Sequence, residues 1–194
     1  MPEVNEQVAA YFSKGFRAMY EAAAEVVSKV AKAWGKETLQ EPEEKATSAE
    51  NNTSVVLLLQ LAGKQLFFTS DTGVPALERA ADLADQLGID LTASTFEQVP
   101  HHGSKRNVGP TILNRIVGPK LPASTSPKTK TVVVSASKGG MPKHPAKKVT
   151  NAYQRRGAKV LATQGDSLRH SHEAPARSGW GPATPLPFYN EVED

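Results

Sequence analysis

Three of the chain's five histidines and one aspartate stand where reactive side chains could meet. His101 and His102 open the loop Pro100-His-His-Gly-Ser104, directly after the β-like run Ser94 to Val99. Asp71 follows a second such run, Leu66 to Thr69, and His144 precedes Pro145 at the start of a predicted helix. The strands of an α/β sheet end along a common edge, so polar groups at several strand ends can converge. Imidazole and carboxylate together suit zinc or a similar divalent cation. Imidazole alone can also move protons near neutral pH. Each residue has a plainer reading beside this one. Asp71 or Thr72 could simply cap the turn into a helix, the adjacent histidines could be a surface pair, and His144 could be a helix-start residue. His170 and His172, in Arg169-His-Ser-His172, form a further small chelate within a tail rich in Pro and Gly.

The 194 residues suffice for one domain with an appendage and a sizeable core. With no cysteine, disulfides, thiolate metal sites and thiol nucleophiles are excluded. The longest apolar run, Val55 to Leu59, is far too short to span a bilayer. Glu3 and Glu6 stand where a signal peptide would need an apolar core, so a cytoplasmic protein is expected. The formal charge of +3 conceals an asymmetry. Pro100 to Arg169 holds fourteen Lys or Arg against one acid, Asp166, while the remainder holds nine against nineteen. A basic half that contains the histidine loop favours an anionic partner, DNA, RNA or another phosphoester. The alternative is a solvated lysine-rich surface. Few aromatics interleave with the charge, which argues against a stacking groove for single strands.

The elements that must hold these side chains are legible from periodicity. Asn5 to Trp34 reads as an amphipathic helix, with Val8, Phe12, Phe16, Met19, Ala23, Val27, Val30 and Trp34 at three- and four-residue steps. Lys36 to Asn52 is acidic and poor in large apolar groups, which predicts a mobile linker. Val55 to Leu61 and Gln65 to Thr69 read as a hairpin about Ala62-Gly63-Lys64. Helices are expected over Pro75 to Leu87, Pro110 to Val117 and Pro145 to Arg156. Strands are expected over Ser94 to Val99, Thr131 to Ser135 and Lys159 to Ala162. From Asp166 onward an extended tail is expected, with Trp180, Phe188 and Tyr189 as anchors. The fold class is α/β, with helices covering a sheet.

The succession of an apolar strand after Asn52-x-Ser54, a strand ending at Asp71, His101-His102-Gly103-Ser104 and then His144-Pro145 is distinctive. It resembles the C-terminal half of the metallo-β-lactamase fold, in particular the hydrolase domain attached to ComEC, the DNA-uptake channel protein of natural competence. The resemblance covers about Asn52 to Gly165. It implies a layout of helix over 1–35, linker over 36–52, half of an αββα sandwich over 53–165, and tail over 166–194. Thr69-Ser70-Asp71 departs from the Thr-Gly-Asp usual in such proteins. The family's His-x-His-x-Asp-His element has no counterpart, since no histidine precedes His101.

The resemblance implies a hydrolase, a possible nuclease, using one or two zinc or manganese ions to activate water against a phosphodiester. Asp71 would then be a metal ligand, bridging if two ions bind. His101 would be a ligand, His102 a second ligand or a proton donor to the leaving group, and His144 a ligand or a phosphate-orienting group. Ser104, Lys105, Arg106 and Lys143 would contact anionic oxygens. Without the missing element the chain is expected to be truncated or degenerate, unable to retain metal by itself, and complemented by an N-terminal half or a second copy. The competing expectation is a non-catalytic half-domain that binds nucleic acid or a partner.

Overall fold

A computed structural model describes residues 3–122, 130–140 and 144–193, without the side chains of 3–13 and 30–33. The chain forms two compact units, 1–36 and 37–194. The first is a single helix, α1 (Glu3–Gly35). Phe16, Met19 and Val27 of its apolar stripe are exposed, while Val8, Phe12 and Val30 lie outside the described side chains. Among the described residues no helix is long and apolar enough to cross a membrane.

The second unit is a mixed α/β layer built on a five-stranded sheet. Its strands β1 (Leu57–Leu61), β2 (Lys64–Phe68), β3 (Phe96–Gln98), β4 (Lys130–Val134) and β5 (Ala158–Ala162) lie in chain order across the sheet. β1 and β2 are antiparallel, joined by Ala62 and Gly63, both with positive φ (50° and 70°). That is the mirror-image turn whose twist suits a two-residue hairpin. The other three pairings are parallel, with α3 (Val74–Gln86), α4 (Pro110–Ile116) and α5 (Lys147–Arg155) as crossovers. Three right-handed crossovers stepping in one direction place their helices on one face.

Register identifies that face. Phe67, Glu97, Val132 and Val160 stand side by side across four strands and are all buried. They form the core with Leu77, Ile112, Leu113, Ile116 and Val149. The opposite face carries Leu57, Leu59 and Leu61 on edge strand β1, which are 52%, 42% and 65% exposed. One hydrophobic layer is therefore closed and the other is open at its β1 end.

Residues 37–47, where composition predicts a mobile linker, instead lie against the second unit. Leu39 is buried. Glu37 pairs with the buried Arg156 through two hydrogen bonds, 2.7 and 3.1 Å. Glu41 accepts the Thr111 N–H at 2.7 Å in the first turn of α4, where a helix welcomes negative charge. Thr47 and Glu41 occupy the space that a Cβ would need at Gly73 and Gly109, so this approach depends on those glycines. The acids that make the segment look unstructured are partners for the basic half. A short helix, α2 (Ala49–Asn52), follows, capped by Ser48. At the other end, the Tyr189 main chain exchanges two hydrogen bonds with the Asn151 side-chain amide of α5, and Phe188 lies against the Arg155 guanidinium. Trp180 is 41% exposed and stacks on Arg177 alone among the described ring contacts.

Glu97 is the exception in the core. Fully buried on β3, it has Lys130 Nζ at 3.9 Å, but neither of its oxygens has a hydrogen-bond partner among the described residues. Burial pushes its carboxyl up to about 7, with the Lys130 charge opposing. The folded state therefore holds this proton more tightly than the unfolded chain, whose carboxyl titrates near 4.5. The stability so contributed is full below the unfolded value and is lost as pH rises through the folded one, up to roughly 3 kcal/mol. Denaturant unfolding at pH 5 and pH 8 should show the wild type weakening at the higher pH by clearly more than Glu97→Gln does. Equal losses in the two proteins would show that Glu97 is not the group titrating.

Candidate functional site at the carboxyl edge

The parallel strands β2, β3 and β4 all deliver their following loops to one edge of the sheet, and these loops carry Asp71, His101 with His102, and His144. The β3 loop is built on unusual backbone. His101 (φ 44°), His102 (φ 57°) and Gly103 (φ 79°) are three consecutive left-handed residues. For each non-glycine this costs about 1–2 kcal/mol, and such outliers persist only where surrounding contacts hold them.

Those contacts come from both neighbouring loops. His101 N donates to Ser70 O at 3.1 Å, and Ala146 N donates to Gly103 O at 3.0 Å. A Cβ on Gly103 would lie 2.7 Å from Pro145 Cβ and 3.3 Å from Val134 Cγ2. Glycine is thus required here twice over, for conformation and for space. Ser70 is itself left-handed (φ 49°). Its hydroxyl donates to Val55 O at 2.8 Å.

The imidazoles are held individually. His102 Nδ1 lies 2.7 Å from the Ser135 carbonyl, which can only accept, so Nδ1 carries the proton and the neutral ring leaves Nε2 open. His102 is exposed, so Nε2 can exchange a proton with a ligand. Its ring centroid is 5.7 Å from that of His101. His101 Nδ1 is 3.1 Å from Asn51 Nδ2 in α2. An amide N–H in that position leaves the His101 proton on Nε2, whereas the reversed amide would free Nε2. His144 Nδ1 is buried without a hydrogen-bond partner among the described residues. Partial burial, then the His101 and His102 charges, push the His144 pKa below its usual value.

The remaining candidates are distributed around this group. Asp71 is held through its main chain, its carbonyl accepting from Asn107 Nδ2 at 3.3 Å. Asn107 also bonds Thr72 O, and Thr72 turns its hydroxyl to Thr69 O, so neither Thr72 nor Asp71 caps α3. Ser104 is buried, and its hydroxyl accepts from Arg106 N at 3.2 Å within the turn. Lys105 and Arg106 are exposed. Lys143 lies outside the described residues. His170 packs on Phe96, 4.9 Å between centroids, and His172 Nε2 lies 3.4 Å from a Glu173 carboxylate oxygen. Asn51, Asn107 and the Ser135 carbonyl were not anticipated. Their role is purely positional, and only the Asn type at 107, two residues before a helix-opening Gly-Pro, offered a hint.

Whether these residues suit a zinc or manganese ion can be judged from the donors. The unpartnered His144 Nδ1 and the open His102 Nε2 are the kind of nitrogens a cation would take. However, among the described residues no three His, Asp or Glu side chains lie together closely enough to hold an ion. A catalytic zinc wants three protein ligands and a structural one four. The described residues do not make a complete metal centre by themselves.

Two outcomes follow from this geometry. Gly103→Ala should destabilise the second unit by about 2–4 kcal/mol, combining left-handed strain and overpacking, measured by denaturant unfolding. A loss under about 0.5 kcal/mol would mean the two loops are not locked together. By proton NMR, the His144 ring should titrate below 6.5, and His101→Ala should move it upward. An unmoved midpoint would separate the two rings electrostatically.

Comparison with known proteins gives one finding in addition. No family model matches the chain, and no solved structure matches it. It is 26% identical over 122 residues to ComE operon protein 3 of Bacillus subtilis (strain 168), a stretch that takes in 63% of this chain. The chain matches only 14% of that relative's length.

Proposed function

We propose that this chain is a phosphodiester-recognition unit of the metallo-β-lactamase type, ComEC-like, that binds nucleic acid at its histidine loop. Hydrolysis there would need further metal donors from a complementing polypeptide or a second copy. The observation that carries the reading is the run of left-handed residues at 101–103, held between the β2 and β4 loops, with the His144 ring sensing those of His101 and His102. Strain of this kind at a sheet's carboxyl edge is the signature of a prepared site. The similarity to ComE operon protein 3 supports the same lineage. His102 Nε2 would hydrogen-bond a phosphodiester oxygen or pass it a proton. His144 would orient the same group, and Lys105 and Arg106 would add attraction from the loop's continuation. With the half-sandwich comes an uncovered sheet face, and the exposed leucines of β1 are where a second layer or second copy would rest.

The metal-dependent hydrolase acting alone is the second reading, favoured by the orphaned His144 Nδ1. Asp71, His101, His102 and His144 would be its ligands, with zinc or manganese as the cation. The two readings separate in one set of measurements on the full chain. Short DNA and RNA strands should bind with a logarithmic salt slope equal to several phosphate contacts. His101→Ala combined with His102→Ala should weaken binding about tenfold, and added zinc or manganese should yield no cleavage. Binding absent even at 50 mM salt would end the recognition reading. Cleavage by the chain alone, abolished in Asp71→Ala and His101→Ala, would establish the hydrolase instead.

A further inference from the structure

A cavity of about 460 Å³ lies between residues 38–46, the stretch just after the histidine loop, and α5. Its size suits a nucleotide-sized ligand. Four cations line it, Lys45, Lys105, Arg106 and Lys148, drawn from three separate parts of the chain. Two carboxylates line it as well, Glu41 and Glu43. Glu41 has a task elsewhere, its Oε1 accepting the Thr111 N–H of α4. The lining thus keeps an excess of about two positive charges near neutral pH. The wall is anchored where the cations converge, since Thr47 Oγ1 donates to Arg106 O at 3.3 Å. Lys105 and Arg106 continue the histidine loop, whereas Lys45 and Lys148 are unaccounted for by it.

We infer that this cavity binds the terminal phosphomonoester of a nucleic-acid strand. A phosphomonoester carries between one and two negative charges near pH 7, against one for an internal diester, and so matches the excess charge. The guanidinium of Arg106 supplies a fork for two of its oxygens, and the lysines supply point charges around them. The inference rests on the recognition of nucleic acid proposed above and specifies an end of the strand. Phosphomonoester ends are what phosphodiester cleavage leaves. Arg106 follows Ser104 by two residues, so the cavity wall is continuous in sequence with the histidine loop.

The test compares octamers of deoxythymidine carrying a 5′-phosphate, a 3′-phosphate or only hydroxyl ends, by fluorescence anisotropy with the full chain. At least one phosphorylated octamer should bind about tenfold more tightly than the hydroxyl form. Arg106→Gln with Lys148→Gln should remove that preference, while His101→Ala should lower all affinities and keep it. Equal affinity for the three octamers, or a preference that survives the double variant, overturns the inference. Thymidine monophosphate and inorganic phosphate, followed by backbone amide shifts, separate its failure from that of the broader reading. Should no octamer bind, saturable shifts at Ala46, Arg106 and Lys148 with the monophosphate would keep the pocket, and their absence would remove it. Shifts produced equally by inorganic phosphate would mean that free phosphate, not a strand end, is the ligand, and would likewise overturn it.

Discussion

The contact between Gly103 and Pro145 is the constraint on which the carboxyl edge depends. β3 and β4 are neighbours in the sheet, yet their following loops would diverge without something to press them together. A left-handed glycine with no side chain lets the β3 loop touch the proline after His144, and the Ala146 N–H to Gly103 carbonyl bond closes the approach. The two histidines before it inherit left-handed backbone as a consequence. Their strain, a few kcal/mol in sum, is offset by the bonds from the Ser70 carbonyl on one side and to the Ser135 carbonyl on the other.

Charge does a second kind of holding. The basic half of the sequence suggests attraction to an external polyanion, but part of that charge is answered inside the molecule. Glu37 neutralises the buried Arg156, Asp82 and Asp85 hold Arg115, and Glu193 takes the first N–H groups of α5. A buried ion pair is weak evidence for stability but strong evidence for register, because breaking it leaves an unpaired charge. Glu37 therefore fixes where the segment leading to the cavity must lie. The total charge of that half therefore overstates what it can offer to an external polyanion.

The sequence made the sheet legible because strands and crossover helices follow simple periods. Val132, Val134 and Val160 declare themselves by alternation, and Leu77, Ala81 and Ala84 by helical spacing. The hairpin turn and the placement of Asp71, His101, His102 and His144 at strand ends were readable for the same reason. Residues 37–47 were not, since their acids resemble those of a solvated linker and their partners lie far along the chain. Glu97 was equally opaque. A carboxylate in Phe96-Glu97-Gln98 reads as an exposed strand position, and only the register with Phe67 and Val132 shows that it faces the helices. Asn51 touches His101 from fifty residues away, a pairing no local pattern encodes.

The open sheet face and the histidine nitrogens of the carboxyl edge belong to one sheet. A five-stranded sheet whose three crossovers step in one direction can cover only one of its faces with its own helices, and the C-terminal tail reaches the far edge, where Leu186 bonds Val160. That leaves β1, with three leucines in a row on the bare side and no charged residue to guard its edge. The carboxyl edge, meanwhile, presents nitrogens prepared for a ligand but, among the described residues, fewer than three donors together. A second layer laid against β1 and β2 would bury the leucines and bring its own strand ends to the same edge as His101 and His102. The apolar demand and the chemical demand therefore point to the same side of the same sheet.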